Sequence, residues 1–187
     1  MKKITDLFIA TSTDYNPKSE EAYTFFKIVQ NKLHFAISGH TAAELIYSRA
    51  DSKKEHMGLT NWKNSPDGLI YKYDVSIAEN YLNEEELNKL NDLTNMFLVF
   101  AEDEAKERHV MTMQDWINAT DDLLKFRRKK ILNNPGAISH KQAVEKAENE
   151  YEKYRVIQDQ NYISSMDEFY NKYLEENNNI YYDNINN

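Results

Sequence analysis

From Ala22 onward, apolar residues return at steps of three and four: Ala22, Phe25, Phe26, Val29, Leu33, Ala36 and Ile37. At about 100° per residue they share one face of a helix. Ile28 and Phe35 fall on a second flank, leaving a polar strip of Tyr23, Lys27, Gln30, Asn31 and His34. A helix apolar over more than half its circumference belongs at the centre of a fold. Asn16-Pro17 marks the turn before it, Ser19-Glu20-Glu21 charges its first turn, and Gly39 ends it. Thr41-Ala42-Ala43-Glu44 has the capping-box form and opens a second helix to about Ala50.

Residues 51–75 carry no helical period and contain Gly58, Pro66 and Gly68. An irregular stretch this long is either ordered for a purpose or a lid. Leu69-Ile70-Tyr71-Lys72-Tyr73 is the place in it for a short β-hairpin. A short helix is expected from Ser76 to Leu82. Asn83 followed by Glu84, Glu85 and Glu86 is a strong helix start, and that helix should reach about Arg108. Met96 to Ala101 contains no polar residue, so this turn is expected to be enclosed on every side. Thr112 to Asp115 starts a further helix, which ends in Arg127-Arg128-Lys129-Lys130. Ser139 caps the last long segment, where Ala143, Ala147, Tyr151, Tyr154 and Ile157 make a narrow stripe. A break is expected near Asn161.

The reading is therefore mainly α: one compact helical domain over residues 1–176 with a long irregular loop at 51–75. An Asn-rich tail over 177–187 is expected to fray. Composition supports this. The chain has 187 residues with only 4 Gly and 3 Pro, so long helices meet few breakers. It has no Cys, which excludes disulfide scaffolds, thiolate metal sites and cysteine nucleophiles and fits a cytoplasmic setting. The formal charge of -8 makes general binding to nucleic acid unfavourable. No apolar run is long enough to cross a membrane.

The chemistry is sparse. Glycine-rich phosphate loops, HExxH, GxSxG and paired ExxH motifs are all missing. Four features are left. His34 borders the apolar face and could act as a general base; the plainer alternative is a boundary histidine bonded to a carbonyl. The stretch from Ser48 to Lys63 collects Arg49, Asp51, His56, Thr60, Trp62 and Lys63 around a glycine. Such a mixture can bind an anion or a flat ring. Its alternative is a surface loop with Trp62 plugging the core. The 127–130 cations suit nucleic acid, or simply a helix end. Glu102, Asp103, Glu104 and Glu107 could hold a divalent ion, but a solvated helix face is the better explanation of them.

Several stretches together resemble the virulence RhuM protein family. They include Asp14-Tyr15-Asn16-Pro17, Val29-Gln30-Asn31-Lys32-Leu33-His34, Thr41-Ala42-Ala43-Glu44 and Arg49-Ala50-Asp51. His56-Met57-Gly58-Leu59-Thr60, Ala78-Glu79-Asn80-Tyr81-Leu82 and Ile138-Ser139-His140 continue the likeness, which runs from about residue 7 to about 170. The resemblance implies a bacterial protein from mobile or pathogenicity loci. It also implies kinship with the carboxy-terminal half of longer members, whose amino-terminal half looks like a DNA-binding region. A separately encoded DNA-binding half is thus one implied partner. A similar amino-terminal half also occurs joined to Fic-type domains, so this half looks like an exchangeable effector module. The Fic signature is absent here.

The expectation drawn from both lines is a toxin-like or effector module. It would act through a pocket between the 19–38 helix and the 49–63 loop. There His34 would serve as base and Glu44 as acid; Arg49 and Lys63 would bind an anion, with Asp51 orienting Arg49. Thr60 would add a hydroxyl and Trp62 an aromatic wall. No cofactor or metal is assigned. The alternative is a non-catalytic interaction or self-association module, working through the Ala143–Ile157 stripe and the tyrosine-rich end.

Overall fold

The structure, a computed structural model, describes residues 11–107 and 109–185, with the side chains of 105 and 175–185 outside that description. The described residues form five α-helices: α1 (Glu20–Ser38), α2 (Ala42–Arg49), α3 (Glu84–Lys106), α4 (Met113–Phe126) and α5 (His140–Ile185). No named strand occurs among them; one isolated parallel bridge joins Ser12 to Met111.

The helix starts lie where local chemistry put them. Ser19 accepts from the Ala22 amide at 3.1 Å. Thr41 with Glu44, and Thr112 with Asp115, each make both bonds of a capping box. Asn83 and Glu86 exchange the same pair of bonds at the head of α3. Gly39 ends α1 at φ 76°, a left-handed conformation that glycine adopts without a Cβ penalty.

The interior is built as two clusters. In the first, Phe25, Val29, Leu33 and Ile37 of α1 pack on Leu90, Leu93 and Phe97 of α3 and on Trp116 and Leu124 of α4. Each such side chain contributes roughly 1.5–3 kcal/mol by leaving water. Lys32 is also buried, and its Nζ donates to Asp121 Oδ1 at 2.7 Å and to the Leu132 carbonyl at 3.2 Å, tying α1 to α4. In the second cluster, Ile46 and Ala50 meet Met57, Leu59, Trp62, Ile70 and Val75 from the irregular segment and Ala143, Ala147 and Tyr151 from α5.

The 51–75 segment is therefore part of the core. It has no hairpin; its regular pieces are 3-10 turns at Glu55–Gly58 and Asp74–Ser76, followed by Ala78–Tyr81 in place of the expected short helix. The buried Asp74 carboxylate organises it, accepting from the Lys63 and Tyr71 amides. Helix α5 stitches it from outside. Glu150 accepts from the amide and hydroxyl of Ser52, Gln158 exchanges two bonds with the backbone of Ile70, and Lys146 donates to the Tyr47 and Ala50 carbonyls.

Two further expectations are corrected. Helix α5 runs through Asn161 without a break, because nothing between Tyr154 and Ser165 is a glycine or proline. The Met96–Ala101 turn is not enclosed: Val99 is 60% and Phe100 38% exposed. The α5 backbone continues to Ile185, and the expected tail falls mostly on residues whose side chains lie outside the description.

Candidate functional site

The residues expected to form a polar pocket have found partners elsewhere. Arg49 forks onto Glu86, both terminal nitrogens 2.6 Å from the two carboxylate oxygens, and also donates to the Tyr81 carbonyl. Asp51 does not orient it; Asp51 accepts from the Lys53 amide at 3.0 Å. Glu44 completes the cap of α2 and accepts from the Ala137 amide at 2.7 Å, anchoring the turn before α5. Thr60 donates its hydroxyl to the Leu82 carbonyl at 2.6 Å. Trp62 is buried, donates Nε1 to the Gly68 carbonyl at 2.7 Å, and lies 4.6 Å from the His56 ring. The Lys63 ammonium sits over the Tyr73 ring, 5.5 Å from its centre.

His34 is fully buried. Neither ring nitrogen has a hydrogen-bond partner; Nε2 lies 3.7 Å from Glu79 Oε1. Burial pushes the Glu79 carboxyl up, but the adjoining imidazole outweighs it and holds the acid below its ordinary range. A base needs hydrogen-bond reach to a substrate proton, and this ring has no exposed edge to offer. A cavity of about 370 Å³ beside Trp62 is lined by His56, Tyr154 and Gln158, and by none of the other six expected residues.

A larger concavity is lined by other residues. Helices α3 and α4 meet where Phe100 stands edge-on to Trp116, ring centres 5.6 Å apart. Between them opens a groove of about 1170 Å³. Its apolar lining is Met96, Val99, Phe100, Met111, Ala119 and Leu123, with Val110 and Phe126, which are 74% and 79% exposed. Its rim carries Asp103, Glu104, Asp115 and Asp122, with His109 bonded to Glu104 at 2.9 Å. Lys106 and Lys125 pair with Asp103 and Asp122 as exposed one-turn ion pairs. Such pairs are worth little and exchange readily with an incoming cation. Of the acids at 102–107, Asp103 and Glu104 line this groove, and no cluster of metal-ligating side chains exists among the described residues.

The sequence held a signal for this groove: a helical turn without polar residues, followed directly by an acidic run. What it could not show is that α4 leaves one side of that turn uncovered.

No described helix is long and apolar enough to cross a membrane. No curated protein and no solved structure matches the chain. A family model does match, over residues 1–163, covering α1 to α4, the stitched irregular segment and the part of α5 that packs on it. The chain belongs to the virulence protein RhuM family.

Proposed function

We propose that this virulence-associated protein is a non-catalytic interaction module that holds a basic amphipathic helix of a partner protein in the α3–α4 groove. The observation that carries the reading is the exposure of Val99 and Phe100, in the apolar turn Met96–Ala101, beside four carboxylates. Apolar patches rimmed by polar residues mark interaction sites. The stretch from Asn95 to Asp103 rises about 12 Å, which suits two to three turns of a docked helix. The occupant's apolar face covers Val99 and Phe126, and its lysines or arginines meet Asp103, Glu104, Asp115 and Asp122. The expected polar pocket has less behind it, because Arg49, Thr60 and Trp62 are engaged in internal bonds.

The test is titration of a fluorescent three-turn peptide with leucines on one face and lysines on the other. Binding should weaken with salt. It should drop at least about tenfold, about 1.4 kcal/mol, in Val99→Asp and in Phe126→Asp. A glutamate version of the peptide should not bind. Equal binding of both peptides, or no change in either variant, would overturn the reading.

A further inference from the structure

Helix α5 has two apolar stripes, and only one is covered. Ala143, Ala147 and Tyr151 are buried against the second core cluster. Residues 159–174 are exposed on every side. Within and just before that stretch, Val156, Ile163, Met166, Phe169, Tyr170 and Leu174 are 40–70% exposed. At 100° per residue these six fall within an arc of about 140°. The centre of that arc is about 110° from the centre of the body-facing stripe, and even Phe169, which shares the azimuth of Tyr151, is 70% exposed, so the stripe lies beyond the reach of its own domain. Isolated helices of this length are marginal in water and depend on packing for their stability.

We infer that this stripe pairs with the same stripe of a second copy of the chain. Val156, Ile163 and Tyr170 are seven residues apart, and Met166 follows Ile163 by three, the spacing of a coiled-coil seam in which Asp159 takes the matching position after Val156. The exposed side chains offer about 650 Å² per copy, taking roughly 200 Å² for a large side chain at its exposed fraction. That reaches the lower end of the share, about 600–1,000 Å², that each partner gives to a standard stable interface. The opposite face carries Glu168 and Lys172, and the two charges that fall inside the arc, Arg155 and Asp159, pair with each other at 3.9 Å, so two copies bring little net like charge together. The same face argues against a lipid surface, which calls for a run of lysines and arginines there.

Light scattering on the full chain tests this. The wild type should run at the dimer mass and Ile163→Glu with Tyr170→Glu at the 22.1 kDa chain mass. Ser164→Glu, on the polar face, should stay dimeric. All three should keep the melting transition of the body, since these positions are exposed. The chain has no cysteine, so Met166→Cys should oxidise to a cross-linked dimer while Ser164→Cys should not. A monomeric wild type, a dimer indifferent to the paired glutamates, or a monomer that floats with lipid vesicles would each overturn the inference. Val99→Asp, which tests the groove, should leave the dimer intact.

Discussion

Arg49 and Glu86 form a bidentate ion pair, 2.6 Å at each limb, that joins the end of α2 to the head of α3. Both side chains are mostly buried, 26% and 11% exposed, and Glu86 also completes the α3 cap. The guanidinium holds the Glu86 carboxyl below its usual range. Removing one partner of such a pair leaves a buried charge alone. Arg49→Ala should lose about 3 kcal/mol in urea unfolding, and Arg49→Lys should recover little of it, because an ammonium cannot fork. An Arg49→Ala variant as stable as wild type would show the pair to be incidental.

Glu150 gives the clearest pH dependence. Lys153 and then the Ser52 hydroxyl and amide hold its carboxyl at about 2, against an ordinary value near 4.5. A depressed acid contributes stability above its unfolded pKa and loses it as pH falls toward the folded one. Thermal stability should therefore fall between about pH 4.5 and 2. Glu150→Gln should be less stable at neutral pH and show a shallower slope across that window.

Gly58 sits at φ 82°, following His56 and Met57, which are also left-handed. A Cβ there would meet the Arg49 carbonyl oxygen at 2.3 Å. Gly58→Ala should cost about 2–3 kcal/mol. Gly39→Ala, with nothing within 4 Å of its Cβ, should cost less, about 1 kcal/mol. Equal losses at the two sites would contradict the close approach.

His34 has two buried ring nitrogens without hydrogen bonds. Replacing such a group by an apolar one of similar shape removes a desolvation penalty. His34→Leu removes that penalty but also the imidazole beside the Glu79 carboxylate, so the two effects should offset and stability should change by no more than about 1 kcal/mol in a melting experiment. A loss above about 2 kcal/mol would mean that the imidazole holds Glu79 more strongly than 3.7 Å suggests.

Helix starts were legible because a cap is local: Ser19, Thr41 and Thr112 bond residues three positions away. The mainly helical class followed from the same signals and from the scarcity of breakers. The irregular segment was legible as an interruption but not as core. Met57, Leu59, Ile70 and Val75 have no period, and their burial depends on α2 and α5. The polar residues of that region misled for a related reason. Their composition resembles a binding site, yet the groups that satisfy them are distant in the chain: Glu86 for Arg49 and Glu150 for Ser52. The groove was hidden because an apolar helix turn looks the same in sequence whether four sides of it are covered or three.

The boundary between the two apolar clusters runs between neighbours in the chain: Leu45 belongs to one and Ile46 to the other, as do Leu82 and Tyr81. Helix α5 supplies side chains to the second alone. Amide exchange should accordingly separate two cooperative opening units. Peeling α5 away releases the irregular segment and the far side of α2, while α1, α3 and α4 stay closed around Trp116.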